Sequence, residues 1–257
     1  MIVSRRIVLV GDQFAEFARN TSVVTLTDFR KRIRSGLVTG RVIIGQGMSY
    51  QHIQELYEER GTNGDRLSFE ARDKLALLAI THKHDVRNVL ITHPRRLEKR
   101  VYVTELALND ESDRLSDHVT GVHVGGMVLL EAGRQAAIAT GEIEYEVSSK
   151  AEPMGFVWSG CRVSFNRFTF PVPTMIRVTI VEDESSSSEK PKCTAKLIFE
   201  QASKPICEME MDYELLPKRT LELIEVRAAK RVVESLCGPV ATADVCVPQS
   251  LTADAGR

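Results

Sequence analysis

The amino-acid sequence predicts an α+β protein in which an antiparallel sheet wraps round one long buried helix, behind a small N-terminal α/β domain. Three observations support this prediction. The first third of the chain contains continuous apolar runs with helical spacing between them, residues 127–143 are largely apolar, and the segments after this stretch alternate between apolar and polar residues. Alternation with a period of two is typical of antiparallel strands with one solvated face.

The N-terminal domain is predicted over residues 1–91. Its three apolar runs are RIVLV (6–10), SVVTL (22–26) and RVIIG (41–45). Uninterrupted apolar runs indicate parallel strands that are covered on both faces. Helical spacing over 51–59 and 69–81 predicts two helices, with Ser68 as a candidate cap of the second. We place the domain boundary near His93-Pro94, where the pattern changes.

Two glycine turns in this domain are candidate ligand sites. Gly11-Asp12 and the turn of residues 45–47 follow strands, at the edge where open α/β sheets bind ligands. Neither turn completes a dinucleotide or P-loop motif, so we interpret both as ordinary turns in preference to a nucleotide site. His82 and His84 alternate at a predicted helix end, but no carboxylate pattern accompanies them. We therefore predict no metal and no cofactor.

The second domain is predicted over residues 92–216. An alternating strand at 99–109 is followed by a polar loop and by the apolar helix that begins at Met127. Four further strands are predicted at 156–170, 174–183, 192–201 and 205–216. A strand, a buried helix and then four strands form the hotdog arrangement. Residues 217–257 are predicted to hold a final helix at 221–236 and a loose tail.

Charge and cysteine content limit the classes of partner. The chain has 34 basic and 35 acidic residues and a formal net charge of -1, so we expect neither nucleic acid nor a membrane as a partner. The five cysteines are scattered and match no metal-binding spacing, which is typical of reduced thiols. No apolar run is long enough to span a bilayer and no signal peptide is apparent, so we expect a cytoplasmic protein.

Residues 117–137, DHVTGVHVGGMVLLEAGRQAA, hold the main concentration of acid/base chemistry. Acyl transfer to an alcohol needs a base, for which His118 and His123 are the candidates, and donors for the developing oxyanion. The glycines before the helix would supply backbone N–H groups at its positive end. Glu131 would share a helix face with Gln135 and lie near Arg134. Taken singly, each residue also has a purely structural explanation, such as a buried Glu131–Arg134 pair.

The motif HVGGMVLLEAGRQAA (123–137) resembles the signature of the A-factor biosynthesis (AfsA-type) hotdog proteins, with Gly125 where proline is usual. The resemblance covers about residues 90–216. It implies transfer of a β-ketoacyl group from acyl carrier protein to the hydroxyl of dihydroxyacetone phosphate, in the biosynthesis of γ-butyrolactone or butenolide signals. Fuller members of that family carry two hotdog repeats, whereas one is visible here. We therefore expect a homodimer, because an open sheet edge favours pairing with a second copy.

A more distant similarity is to the β-hydroxyacyl carrier-protein dehydratases, which favours His118 over His123 as the base and Glu131 as its partner. The predicted substrate-binding residues are Gly125, Gly126, Met127, Arg134 and Gln135, and the predicted partners are an acyl carrier protein or CoA thioester and a small phosphate-bearing acceptor. Three strand arginines could hold the phosphate, namely Arg162, Arg167 and Arg177. The alternatives are a dehydratase or thioesterase that acts on the same thioester, and a non-catalytic acyl-binding or docking protein.

Overall fold

The computed structural model describes residues 6–36, 39–63, 67–112, 121–147, 154–184, 186–187 and 190–238, with only the backbone for 60–63. The described strands form two sheets, one with four strands and one with six. Among these residues, no helix is both long and apolar enough to cross a membrane.

The N-terminal sheet is parallel, with strand order β2-β1-β3-β4. Its strands are β1 (Arg6–Val10), β2 (Val23–Thr25), β3 (Gly40–Ile44) and β4 (Leu67–Phe69). Helices α1 (Leu26–Arg34) and α2 (Tyr50–Asn63) connect them. Thr25 caps α1 by accepting a hydrogen bond from the Asp28 backbone N–H. Phe29 and Leu56 bring the two helices into a core with Leu9 and Val42, and all four side chains are fully buried.

The predicted helix over 69–81 is wrong. Residue 69 ends β4, and only α3 (Leu78–Thr81) is helical. The backbone before α3 pairs with a neighbouring segment instead, because Ala76 N–H donates to Ile91 O at 3.0 Å and His93 N–H donates to Lys74 O at 2.8 Å. Helical spacing in the side chains is therefore outweighed by these long-range backbone hydrogen bonds.

The second sheet is antiparallel, with strand order β5-β6-β8-β9-β10-β7. Its strands are β5 (Arg95–Glu98), β6 (Val101–Glu105), β7 (Met154–Phe165), β8 (Met175–Glu182), β9 (Lys192–Gln201) and β10 (Lys204–Pro217). Strand β7 comes directly after the central helix in the chain but pairs with β10, so it forms an edge of the sheet. Its twelve residues make this edge long.

The central helix α4 (Gly126–Glu144) packs on this sheet, which confirms the predicted hotdog fold. Gly133 allows the close approach, since a Cβ there would lie 2.6 Å from Met209 Sδ. The opposite side of α4 is covered by residues of the 76–91 segment, including Ala76, Leu90 and Ile91. The buried helix therefore lies between the sheet and a segment that precedes the sheet in the chain.

The final helix, α5 (Lys218–Cys237), has no buried residue. Leu221 is its contact with the sheet, since the Leu221 methyl group lies 2.7 Å from a Cβ built on Gly155. Several apolar side chains further along the helix are exposed, with Leu236 at 81%. The predicted tail after Gly238 lies outside the described residues.

Candidate functional site

The first turn of α4 presents its backbone N–H groups beside β7. Gly125 is the N-cap residue in extended conformation, and no side chain caps the helix. Space is limited at Gly126, where a Cβ would lie 3.0 Å from the Phe165 ring, whereas nothing lies within 4 Å of a Cβ on Gly125. Met127 is 74% exposed. This helix end can thus accept a negatively charged atom that approaches from the Gly125 side.

A buried charged cluster begins one turn further along α4. The Glu131 carboxylate is 8% exposed and accepts two hydrogen bonds from the Arg134 guanidinium, both at 2.9 Å. Lys83 Nζ lies 2.5 Å from Glu131 Oε1. Burial by itself would raise the pKa of Glu131, but the hydrogen bonds from Arg134, Lys83 and Gln135 outweigh it and lower the pKa to about 2. Glu131 is therefore ionised at neutral pH.

Gln135 joins this cluster to the segment that covers α4. Its side chain is fully buried. The amide oxygen accepts from Leu90 N–H at 2.9 Å, and the amide nitrogen donates to Asn88 O at 2.9 Å and to Glu131 Oε1 at 3.1 Å. Every one of these bonds is internal, so the structure gives Gln135 a positioning role for Glu131, and direct contact with substrate stays a prediction.

Of the two candidate bases, the structure describes only His123. His118 lies outside the described residues. His123 is half-buried, and its ring lies 5.1 Å from that of Phe168, measured between centroids. The neighbouring residue, Val124, donates its N–H to Thr169 O at 2.8 Å. The loop that carries His123 is thus fastened to the segment after β7, close to the N-terminus of α4.

An apolar cavity of about 90 Å³ lies between α4 and the edge of the sheet. Its lining residues are Arg134, Ala137, Ile138, Phe156, Trp158, Met211 and Tyr213. Arg134 belongs both to this lining and to the Glu131 cluster, because its Nε and one of its Nη atoms bond Glu131. A ligand with an apolar chain in the cavity would therefore have a guanidinium beside its polar end.

Of the three arginines predicted to lie on strands, Arg162 and Arg177 do so, whereas Arg167 follows the end of β7. Arg162 is exposed and pairs with Glu210 at 2.7 Å on the outer face of the sheet. Arg177 is exposed on β8. Arg167 lines an open groove together with Lys204 and three phenylalanines, Phe17, Phe168 and Phe170. Strands β9 and β10 lie between β7, which carries Arg162, and β8, which carries Arg177. A phosphate site on these arginines stays a prediction.

The turn of residues 45–47, after β3, packs against the second domain, whereas Gly11-Asp12 contacts residues of its own domain. Gln46 is fully buried; its amide nitrogen donates to Leu106 O at 3.0 Å, and its amide oxygen accepts from Leu108 N–H at 2.9 Å. Gln46 N–H donates to Pro171 O at 3.1 Å. A Cβ on Gly45 would lie 2.5 Å from the same Pro171 oxygen. The edge at which open α/β sheets bind ligands is used here for packing between the two parts of the chain.

Further along the chain, His82 bonds Glu142 on α4 at 2.8 Å, so it is a structural partner of the central helix. Its neighbour His84 is exposed. The part of the chain that the structure describes contains no group of three His, Cys, Asp or Glu residues placed to hold a metal ion.

Lys83 and the cavity are the features of the site that the sequence analysis missed. Lys83 stands between the two histidines of THKHD, and a single lysine in a polar loop carries no signal in the sequence. The cavity is formed by residues from α4, β7 and β10, so its existence depends on the order of strands in the sheet. Phe156 and Trp158 lie two residues apart on β7. This spacing is the sequence signal that indicates packing of one face of the strand against the helix.

Comparisons with known proteins agree on the fold. The family model of the A-factor biosynthesis (AfsA) hotdog domain matches residues 76–217. No curated protein has a significant match to the chain.

Solved structures give similarity at a lower level. A mutant thioesterase from Pseudomonas aeruginosa is 12% identical, with a TM-score of 0.39 over 55% of this chain and 91% of its own. An uncharacterized protein from Pyrococcus horikoshii is 16% identical, with a TM-score of 0.37 over 53% and 91%. A mutant thioesterase enzyme from Staphylococcus aureus is 9% identical, with a TM-score of 0.37 over 48% and 92%. Similarity at this level carries no argument about the chemistry.

Proposed function

The chain belongs to the A-factor biosynthesis hotdog family, and we propose that it transfers a β-ketoacyl group from acyl carrier protein to an alcohol of the dihydroxyacetone phosphate type. The product would be a precursor of a γ-butyrolactone or butenolide signal. The observation that carries this proposal is the position of an ionised, buried cluster, built on Glu131 and Arg134, between an apolar cavity and the uncapped N-terminus of α4.

The chemistry assigned to these groups is acyl transfer from sulfur to oxygen. The alcohol oxygen attacks the thioester carbonyl, the C–S bond breaks, and the thiol leaves with the proton that the alcohol gives up. His118 is the proposed base that moves this proton, with His123 as the alternative. Backbone N–H groups of Gly126 and Met127 are the proposed donors to the oxyanion. Arg134 would hold the polar end of the acyl group whose chain enters the cavity.

Glu131 has a narrower role in this scheme than that of a proton acceptor. A carboxylate with a pKa of about 2 is a very weak base at neutral pH. Its fixed negative charge holds Arg134 and Lys83 in place and favours a positively charged histidine nearby during turnover. We therefore propose that Glu131 acts as an orienting anion.

Mass spectrometry of β-ketoacyl carrier protein, with and without dihydroxyacetone phosphate, tests the proposal. Loss of the acyl group that depends on the phosphate, with formation of the ester, is the expected result. Release in water alone would instead identify a thioesterase, and loss of water from a β-hydroxyacyl substrate would identify a dehydratase. His118→Ala is expected to lower turnover by about 10²–10⁴-fold, while His84→Ala, at an exposed histidine, is the control and should leave turnover unchanged.

An acyl-binding protein without turnover is the second candidate function. It is favoured by the saturation of the polar cluster, since Glu131 and Gln135 direct their hydrogen bonds to other residues of the chain. Tight binding of the acyl carrier protein with no change in its mass would support this candidate and contradict the enzyme.

The homodimer is part of the proposal as well. β7 pairs with β10 along its length and is the end strand of the sheet in the part of the chain that the structure describes. An open edge favours pairing, so a second copy is proposed to pair there. The cavity lies directly beneath β7, so a partner strand at this edge would lie close to the acyl group.

A further inference from the structure

An open groove of about 520 Å³ lies beyond the end of β7 and shares no lining residue with the apolar cavity. Three aromatic rings line it, those of Phe17, Phe168 and Phe170, and Phe168 is 69% exposed. The lining also contains two exposed cations, Arg167 and Lys204, and none of the described residues in it is acidic. A concave surface with aromatic rings and charge of one sign favours an anionic ligand that contains an aromatic ring.

The aromatic wall of the groove is held in place by contacts within the chain. Gln201 is 8% exposed; its side-chain oxygen accepts from Phe170 N–H at 3.2 Å, and its side-chain nitrogen donates to Phe170 O at 2.7 Å. The Phe17 ring stacks on the Phe170 ring, with 5.6 Å between centroids and 19° between planes. The wall therefore joins the N-terminal domain to the hotdog domain, and a ligand would meet a surface that is already ordered.

The two cations of the groove lie close together in the backbone. Arg167 N–H donates to Ile206 O at 3.1 Å, and Ile206 is two residues from Lys204 on β10. Within the part of the chain that the structure describes, neither cation forms an ion pair, whereas Arg162 on β7 pairs with Glu210. Their charges are thus available to an anion, and phosphate oxygens accept charge-assisted hydrogen bonds from both side chains.

The groove leads to the proposed thioester site. The Phe168 ring lies 5.1 Å from the His123 ring, and His123 is two residues before Gly125, the N-cap of α4. A ligand anchored in the groove would therefore have its other end near the N-terminus of this helix. Coenzyme A has this layout, with an adenine ring and phosphates at one end and the thioester sulfur at the other.

We infer that the groove binds the adenine nucleotide of a coenzyme A thioester, with the adenine against Phe168 and the phosphates at Arg167 and Lys204. The inference rests on the proposed function for the thioester site at α4, and it adds coenzyme A as a second carrier of the acyl group beside the carrier protein. A docked protein would typically cover about 800 Å² of this chain, and a net charge of -1 provides no broad positive field for an acidic protein. The observations thus favour the nucleotide.

Isothermal titration calorimetry of the full chain tests the inference with coenzyme A, adenosine 3′,5′-diphosphate, pantetheine and ATP as probes. We expect coenzyme A and adenosine 3′,5′-diphosphate to bind with a Kd below about 1 mM. Pantetheine, which lacks the nucleotide, should bind at least roughly tenfold more weakly than coenzyme A. Equal affinity for pantetheine and coenzyme A would overturn the inference. Failure of both adenosine compounds to bind, or tighter binding of ATP than of coenzyme A, would do the same.

Substitutions at exposed positions locate the nucleotide in the groove. Phe168→Ala removes the stacking surface and Arg167→Glu reverses a charge, so each should weaken coenzyme A binding by roughly tenfold. The matched controls are Leu236→Ala, at an exposed apolar residue of α5, and Arg177→Glu, at an exposed arginine of β8. Both controls should keep the wild-type affinity, and all four variants should keep the wild-type Tm. An affinity that survives both Phe168→Ala and Arg167→Glu would contradict the assignment.

These results are independent of the transfer assay. Coenzyme A binding that depends on Phe168, together with no acyl transfer from either carrier, would support the inference and contradict the proposed transferase. Transfer from acyl carrier protein by a chain that does not bind coenzyme A would support the transferase and contradict the inference. Binding of the carrier protein that Phe168→Ala and Arg167→Glu weaken, without binding of coenzyme A, would also contradict it and would identify the groove as a protein-docking surface.

Discussion

At the scale of single residues, the buried carboxylate of Glu131 is saturated by partners from two parts of the chain. Its Oε1 accepts from Arg134 and Gln135 and pairs with Lys83, and its Oε2 accepts from Arg134. These contacts join α4 to the segment that covers it, so the carboxylate holds the cluster in place. Stability measurements can test this role.

Glu131→Gln tests the stabilising role of the cluster. The substitution leaves Lys83 and Arg134 with no carboxylate in a largely buried position, so we expect a loss of about 3 kcal/mol in the free energy of unfolding at pH 7. Urea denaturation followed by circular dichroism provides the measurement. The control is Glu210→Gln, at the exposed Arg162 pair, which should change stability little. Equal effects of the two substitutions would contradict a special role for Glu131.

The same cluster predicts a dependence of stability on pH. The pKa of Glu131 falls from its ordinary value of 4.5 to about 2 on folding. A carboxyl with a lowered pKa contributes stability that is fully present above pH 4.5 and is lost as the pH falls towards 2. The wild-type protein should therefore lose more stability than Glu131→Gln between pH 5 and pH 3. Parallel curves for the two proteins over this range would refute the assigned pKa.

At the scale of elements, the sequence predicts the helices and strands whose side-chain pattern is decided by burial. Strand β9 begins and ends where alternation predicts, at Lys192 and Gln201. The central helix matches to within one residue at each end, since its apolar run has no competing signal. Residues 69–81 could not be predicted in this way, because their backbone partners lie some fifteen residues further along the chain. The charged cluster is predicted in part. Helical spacing predicts that Glu131, Arg134 and Gln135 lie close together, whereas the position of Lys83 beside Glu131 depends on the tertiary fold.

The turn after β3 gives a prediction for an element that joins two sheets. Besides its bonds to Leu106 and Leu108, the Gln46 amide oxygen accepts from Arg72 Nη2 at 3.0 Å. Gln46→Ala would leave the buried Leu108 N–H and the Arg72 guanidinium without this partner, which should cost about 2–4 kcal/mol. Hydrogen exchange at the Leu108 amide should increase more than exchange in the core of β9. Gln51→Ala is the control, since Gln51 bonds Glu55 on an exposed helix face, and no increase in exchange at Leu108 is expected there.

At the scale of the whole molecule, the N-terminal domain and the hotdog domain share a hydrophobic core. Val10 and Phe14 from the first domain belong to the same buried cluster as Leu129 and Ala136 of α4. The division at residue 91 stays a prediction, and the family match that begins at residue 76 favours assigning the segment over α4 to the hotdog domain. The N-terminal domain would then act as a cap on one end of the hotdog sheet, which leaves the β7 edge for a second copy.

Pairing of two β7 edges is the prediction that belongs to this scale. Light scattering after gel filtration should give about twice the chain mass of 28.7 kDa. Cys161 is exposed near the middle of β7, so Cys161→Lys would place two like charges close together if the strands meet about a two-fold axis, and the dimer should weaken by roughly tenfold or more. The control is Ile198→Lys, which adds the same charge at a partly exposed position on β9, a strand that is paired on both sides. A monomeric wild-type protein would disprove the pairing, as would a dimer that Cys161→Lys leaves intact and Ile198→Lys dissociates, because the contact would then lie on the outer face of the sheet.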